Sequence, residues 1–170
     1  MPHRAYHDFA AYNEWANARL YDAAARLPDA DYRRDCGAFF RSVHGTLNHL
    51  LVTDRIWMDR FMRFNCPAPA LDTILFEELF ALRNARTAED TRIRAFVEIL
   101  DETELEAVIT YTNSSGKAFS QTLWSALDHF FNHQTHHRGQ AHALLSLIAG
   151  RDAAPSLDMI VFQREKPTEG

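Results

Sequence analysis

Apolar residues recur along this chain at helical spacing in four long stretches. The first runs from His7 to Arg26, with Phe9, Tyr12, Trp15, Ala16, Leu20 and Ala23 in phase, and Pro28 ends it. The second runs from Phe39 to Phe64, with Val43, Leu47, Leu50, Trp57 and Phe61 on one face, until the segment NCPAPALD breaks the pattern. The third starts at Thr73 and carries Phe76, Leu79, Phe80, Phe96 and Leu100 as far as Asp101. The fourth runs from Gln121 to Ala149, where Gly150 is a stop signal and Pro155 follows. Between the third and fourth the pattern changes. Residues 107 to 121, AVITYTNSSGKAFSQ, hold two β-prone runs around the turn-forming tetrad Asn113-Ser114-Ser115-Gly116, which predicts a short hairpin.

Four helices of about 30 to 45 Å, at 1.5 Å per residue, predict an all-α fold. The expected architecture is an antiparallel four-helix bundle with a short β-hairpin insertion before the last long helix. No repeat or linker interrupts residues 1–170, so a single domain is expected, large enough to bury a real core.

The fourth stretch also carries the densest chemistry, FFNHQTHHRGQAHALL (130 to 145). Helical phase separates its histidines. With His133 at zero, His137 lies at roughly 40°, inside the arc of Ala126, Phe130, Leu144 and Ile148. His129 and His136 fall at the edge of that arc, near -40° and -60°, and His142 points about the opposite way, toward solvent. His133 and His137 therefore face the core on adjacent turns, where two imidazoles can reach one ion. A third ligand would have to come from another helix. In the second stretch His49 lies on a stripe of small polar residues (Ser42, Thr46, Thr53) beside the apolar face, whereas His44 groups with Asn48, Arg55 and Met58 on a wetter face. His49 fits best by pattern, with His7 near the start of the first helix as the alternative; His3 precedes that helix. Gln140, at roughly -20°, is on the same side as His133 and His137. Arg138, at roughly 140°, is expected in a structural salt bridge or a contact with a partner helix. Asn48 and Asn132 are expected as partners for the ligand imidazoles, which usually donate their other N–H. Asp54 and Trp57 are expected to line the pocket, although a tryptophan in a helical stripe also reads as core.

Absent motifs narrow the chemistry. The chain has no Glu-x-x-His pair of the di-iron carboxylate bundles, no HExxH and no CxxCH. Neutral imidazoles without a thiolate or carboxylate suit zinc, nickel or a similar divalent ion, and three protein ligands leave a coordination position for reactive chemistry.

Composition adds limits rather than direction. Of 170 residues, 46% are hydrophobic and 24% charged, and the formal charge is -5, so nucleic acid is not an expected partner. The run RNARTAEDTRIR (83 to 94) interleaves both signs and reads as a solvated helix face. No apolar run is long enough to span a bilayer, and MPHRAYHDF lacks the pattern of a secretory signal. Cys36 and Cys66 form no metal or disulfide framework and read as free thiols, which places the protein in a reducing cytoplasm.

The segments SVHGTLNHLLVTDRIWMDRF (42 to 61), HFFNHQTHHRGQ (129 to 140) and PSLDMIVFQRE (155 to 165) closely resemble the DinB family, and the resemblance extends over nearly the whole chain. It implies a four-helix bundle holding a divalent ion on three histidines, His49, His133 and His137. Relatives of that family include mycothiol-dependent maleylpyruvate isomerases and bacillithiol S-transferases. The resemblance therefore implies transfer of a low-molecular-weight thiol cosubstrate to a small electrophilic substrate, in a homodimer. The alternatives are a non-catalytic, metal-stabilised protein that binds a small molecule in a stress response, and a metal-dependent hydrolase.

Overall fold

Ser42 sets the start of the second long helix. Its hydroxyl accepts the backbone N–H of Gly45, so the helix begins after Ser42 and not at Phe39 as the apolar pattern predicts. In this computed structural model, which describes residues 6–64, 66–113 and 115–165, the helices are α1 Tyr6–Ala24, α2 Asp29–Tyr32, α3 Val43–Phe61, α4 Leu79–Glu98 and α5 Glu102–Glu106. The strands β1 Val108–Thr112 and β2 Ala118–Thr122 follow, then α6 Leu123–Ala149, a 3-10 turn at Arg151–Ala153 and α7 Met159–Glu165. The third expected helix thus loses its first turns, because residues 71 to 78 run as an irregular segment of turns and bends against α3, held there by the Asn48 side chain.

The strands pair antiparallel from Val108 opposite Thr122 to Thr112 opposite Ala118, around a turn in which the Asn113 side chain accepts the N–H groups of Ser115 and Lys117. The expected hairpin is present. Its one buried residue among those described, Ile109, joins the core beside Trp57, Phe61 and Phe130.

Side-chain pairings fix the directions of the helices. Tyr6 meets Asp128 and Asn13 meets Arg138, so α1 and α6 run parallel. Asp54 meets Arg86 and Asp59 meets Arg92, so α3 and α4 also run parallel. The α1–α4 pair (Asn13 with Asp90, Asp22 with Arg83) and the α3–α6 pair (His49 with His137, Trp57 with His129) run antiparallel. This is a four-helix bundle, but not the wholly antiparallel one expected. The connection from 62 to 78 carries the chain back along α3, which is about 28 Å long, before α4 begins.

The core is stratified. One apolar cluster holds Tyr6 and Ala10 of α1, Trp57, Met58 and Phe61 of α3, Ile93 and Val97 of α4, and α6 from Leu123 to Phe131. A second holds Leu20 to Ala24, Leu47 to Leu51, Leu82, and Ala141 to Leu145. Between them lies a buried polar layer with members from all four long helices: Asn13 and Asn17, Asp54, Arg86 and Asp90, Gln134 and Arg138. Arg86 pairs with Asp54 at 2.5 Å and with Asp90 at 2.9 Å, and Asn13 and Asn17 both donate to Asp90. Arg138, only 2% exposed, donates to Asn13 and stacks over Tyr12. Two carboxylates and two guanidiniums cancel, which is what makes their burial tolerable.

Burial overturns two expectations. Arg86, Glu89 and Asp90 belong to the stretch read as solvated, yet all three are buried, because charges that pair across helices can occupy core positions. His44, Asn48 and Met58 share a face that reads as wetter, yet they are buried beneath the 71–78 connection and α4. Replacing Arg86 with Met leaves Asp54 and Asp90 buried without their guanidinium. We expect a loss of about 3–5 kcal/mol in urea denaturation of the Arg86→Met variant, and a loss below about 1 kcal/mol would contradict the role given to the layer.

Candidate metal centre

At the level of the polar layer, on the α3–α6 seam, three imidazoles converge. His49 projects from α3 and His133 and His137 from successive turns of α6, with one ring nitrogen of each within 4.8 Å of the others. The ring centroids lie 4.3 Å apart for His133–His137, 4.4 Å for His49–His137 and 5.4 Å for His49–His133. His49 and His137 are buried and His133 half-buried.

The hydrogen bonds of two rings dictate where their lone pairs point. His49 Nδ1 lies 2.7 Å from the carbonyl oxygen of Leu71, which can only accept, so this nitrogen carries the proton. His137 Nδ1 donates in the same way to Gln140 Oε1 at 2.8 Å, while Gln140 Nε2 donates to His136 Nε2 at 3.1 Å. Both Nε2 atoms are then acceptors in the neutral rings, and they face each other at 3.2 Å. Two lone pairs at that distance repel, and a cation between them turns the repulsion into two bonds. His133 makes no hydrogen bond among the described residues and adds a third nitrogen. The donor set therefore fits a divalent ion.

Burial keeps these rings neutral. It pushes His49 down to about 4, against the pull of the Leu71 carbonyl and with help from His137. It pushes His133 down to about 3, with His137, His49 and His129 adding to the effect. His137 is lowered as well, by burial that its bond to Gln140 only partly opposes. Neutral imidazole is the form that binds metal.

Much of the burial comes from Phe40. Its ring stacks on His49, with centroids 3.7 Å apart and planes 17° from parallel, and meets His137 edge-on at 5.5 Å. The tight turn before α3 places it there. Arg41 adopts φ 66, its N–H bonds Ala38, and its carbonyl accepts from Cys36. Gly45 is required at the helix start because a methyl group there would overlap the Phe40 carbonyl oxygen. Helical phasing missed Phe40, since it sits in an apolar run that reads as the first turn of the helix; Ser42, a good N-cap, was the available signal. The Leu71 carbonyl, being backbone, leaves no side-chain pattern.

Other expected site residues divide. Gln140 touches His137 directly. Asn48 touches no histidine ring of the cluster; its side chain accepts the N–H groups of Leu75 and Phe76 and donates to the Phe76 carbonyl, so it fixes the connection that brings Leu71 to His49. Asp54 is turned into the polar layer with Arg86 and does not line the site. Trp57 is core, against Phe61 and Tyr111, with one face toward His129 at 5.1 Å. Asn132 is exposed and lines a shallow depression with Tyr6 and Phe9 on the α1 side, away from the cluster. Arg138 makes the partner-helix contact expected of it, with α1. His7 pairs with Glu98 at the surface, His44 bonds the Phe76 carbonyl and His142 is half-buried; none joins the cluster, and His3 lies outside the described residues. Cys36 and Cys66 are both free.

The DinB family model matches residues 1–166. The chain belongs to the DinB family. Among curated proteins of that family, Protein DinB of Bacillus subtilis (strain 168) is 29% identical over 150 residues, covering 85% of this chain and 86% of the relative. No solved structure gives a significant match. In this DinB-family chain, no described helix is long and apolar enough to cross a membrane.

A histidine held below its unfolded value of 6.5 refuses a proton that the unfolded chain accepts. The stability contributed by neutral His49 and His133 is therefore full above about pH 6.5. It is lost as the pH falls toward about 4 and about 3. In metal-free protein the urea midpoint should fall steadily across that window, and the slope should flatten in His133→Leu. A wild-type midpoint that holds constant down to about pH 4 would contradict the burial of these rings.

Proposed function

We propose that His49, His133 and His137 bind a divalent ion, zinc or nickel, and that the protein transfers a low-molecular-weight thiol to a small electrophile. The observation that carries this reading is the pair of facing Nε2 lone pairs, 3.2 Å apart, in a cluster of three neutral imidazoles without a carboxylate. Neutral ligands leave a bound divalent ion its full charge, and such an ion strongly acidifies a thiol that joins it. The protein's own groups supply the rest. Leu71 and Gln140 hold two of the rings as Nδ1–H tautomers, so that Nε2 is the ligand atom. Phe40 shields His49 from water on one face. In the transfer, the thiol proton goes to water, a sulfur lone pair forms the new S–C bond, and the leaving group departs with the electron pair of the bond it breaks. Hydrolysis would call for a general base beside the ion. The nearest buried carboxylate on α3, Asp54, is already paired with Arg86.

Metal-free protein titrated with zinc should take up one ion per chain. Gln140→Ala should weaken that binding about 10–100-fold by freeing the His137 tautomer, and His133→Ala should weaken it further. Uptake unaffected by either change would refute the metal assignment.

Thiol transfer is tested separately, by following loss of free thiol in the presence of a haloaromatic or epoxide electrophile. The zinc-loaded wild type should accelerate it, and His49→Ala and His133→Ala should not. Equal rates in wild type and variants would leave metal binding standing and remove the transferase reading.

A further inference from the structure

A broad groove lies beside the histidines and does not include them. It occupies about 1130 Å³ between the second half of α3, the 62–75 connection and the hairpin. Val52 and Ile56 line it from α3, Leu75 from the connection, and Tyr111 from β1. Val52 is one turn beyond His49 on α3, and Leu75 is held by Asn48, so one end of the groove opens next to the cluster. From there it follows α3 to Arg60, Arg63 and Phe64, on the order of 18 Å at 1.5 Å per residue.

Charge in the groove is unbalanced at its far end. Four charged residues of α3 and its C-terminal turn line it: Arg55, Asp59, Arg60 and Arg63. Arg55 is paired with Glu89, and Asp59 with Arg92. Arg60 and Arg63 have no carboxylate partner among the described residues, so a chain of net charge -5 presents two uncompensated cations at one place. The Arg60 guanidinium lies 4.6 Å from the Trp57 ring and 4.5 Å from Tyr111, and one of its nitrogens donates to the Thr112 carbonyl. These contacts aim the group and partly desolvate it, which lowers its pKa, and they leave its charge unmet.

Arg63 adds an independent observation. The chain leaves α3 through a Schellman turn, with the N–H of Phe64 bonded to the Asp59 carbonyl and that of Arg63 to Arg60. The residue at the left-handed position of such a turn is usually glycine, yet Arg63 occupies it at φ 58. Strain of this kind, held at the mouth of a groove, points to use of the side chain.

We infer that this groove binds a small organic carboxylate, with its anionic end on Arg60 and Arg63 and its apolar body along Leu75, Tyr111 and the exposed Val108. The apolar lining favours an organic acid over inorganic phosphate, which has nothing to place against it. The site rests on the metal-binding reading of the histidines only for the direction in which the ligand's other end points. Under that reading, the thiol or the electrophile handled at the cluster is itself a carboxylate.

Binding is read without turnover, by calorimetric titration with 4-phenylbutyrate and with its neutral amide, in wild-type protein and in His133→Ala. The carboxylate should bind both proteins, with the amide weaker by on the order of tenfold. Arg63→Gly should weaken carboxylate binding about as much while holding or raising the thermal midpoint, because glycine relieves the left-handed position. Arg60→Met should weaken it too; should that variant fail to fold, Arg63→Gly decides alone. Equal binding of acid and amide, no binding of either, no effect of Arg63→Gly, or full displacement by equimolar inorganic phosphate would each overturn the inference. A wild-type protein that takes up no zinc while still binding the carboxylate would overturn only the reading of the histidines.

Discussion

Charge neutrality in a buried layer is the constraint on which the bundle depends. Asp54, Arg86, Asp90 and Arg138 lie where a helical bundle normally places aliphatic residues, between two apolar clusters. Each is tolerable only with its partners in reach, since an unpaired charge at that depth is strongly destabilising. Sliding any one long helix by a turn would separate Arg86 from Asp54, or Arg138 from Asn13. Apolar contacts are forgiving of such slips, and ion pairs are not. The layer thus specifies one register for all four helices, including the two parallel pairs that helix packing alone would not select.

The histidine cluster inherits that register. Arg138 follows His137 directly and points roughly 100° away from it around α6. Anchored on Asn13 of α1, it turns the His137 side of the helix toward α3. Asp54, little more than a turn beyond His49, anchors α3 on α4 in the same manner. The two halves of the cluster come from positions 49 and 133 to 137, and they meet because each carrying helix is pinned on another of its faces by a charge. The arrangement of the three rings thus follows from structural residues outside the cluster.

Much of this was legible in the sequence because helical phase survives in apolar and histidine positions alike. His133 and His137 separate from His129, His136 and His142 by angle alone, and the hairpin announces itself through Asn113 to Gly116. Legibility fails where one physical rule hides another. The charged stretch from 83 to 94 imitates a solvated surface because sequence shows each charge without its partner, and Arg86 finds its partner Asp54 thirty-two residues away. Phe39 and Phe40 extend an apolar period that Ser42 interrupts by capping, leaving Phe39 85% exposed and Phe40 on His49. Asn132 has the right chemistry for a second-layer partner and the wrong face. The directions of α4 and α6 were hidden because apolar periodicity is the same whichever way a helix runs.

The path of the 62–78 connection has a consequence for how such a protein can diversify. Surface connections are ordinarily where a lineage experiments, absorbing insertions and substitutions without penalty to the scaffold. Here the parallel arrangement of α3 and α4 sends that segment across the molecule, where the Leu71 carbonyl accepts a hydrogen bond from His49 Nδ1 and Leu75 borders the large groove. Cys66 to Pro69 line the groove with no tie to a histidine, whereas Leu75 is fixed by the same Asn48 that holds the connection against His49, so changes at that end bear on the groove and the cluster together. Novelty in what the protein binds and fidelity in how the cluster is held are thus written on one stretch of chain. Variation should accumulate on the 66–70 side of it and thin out toward Asn48's partners.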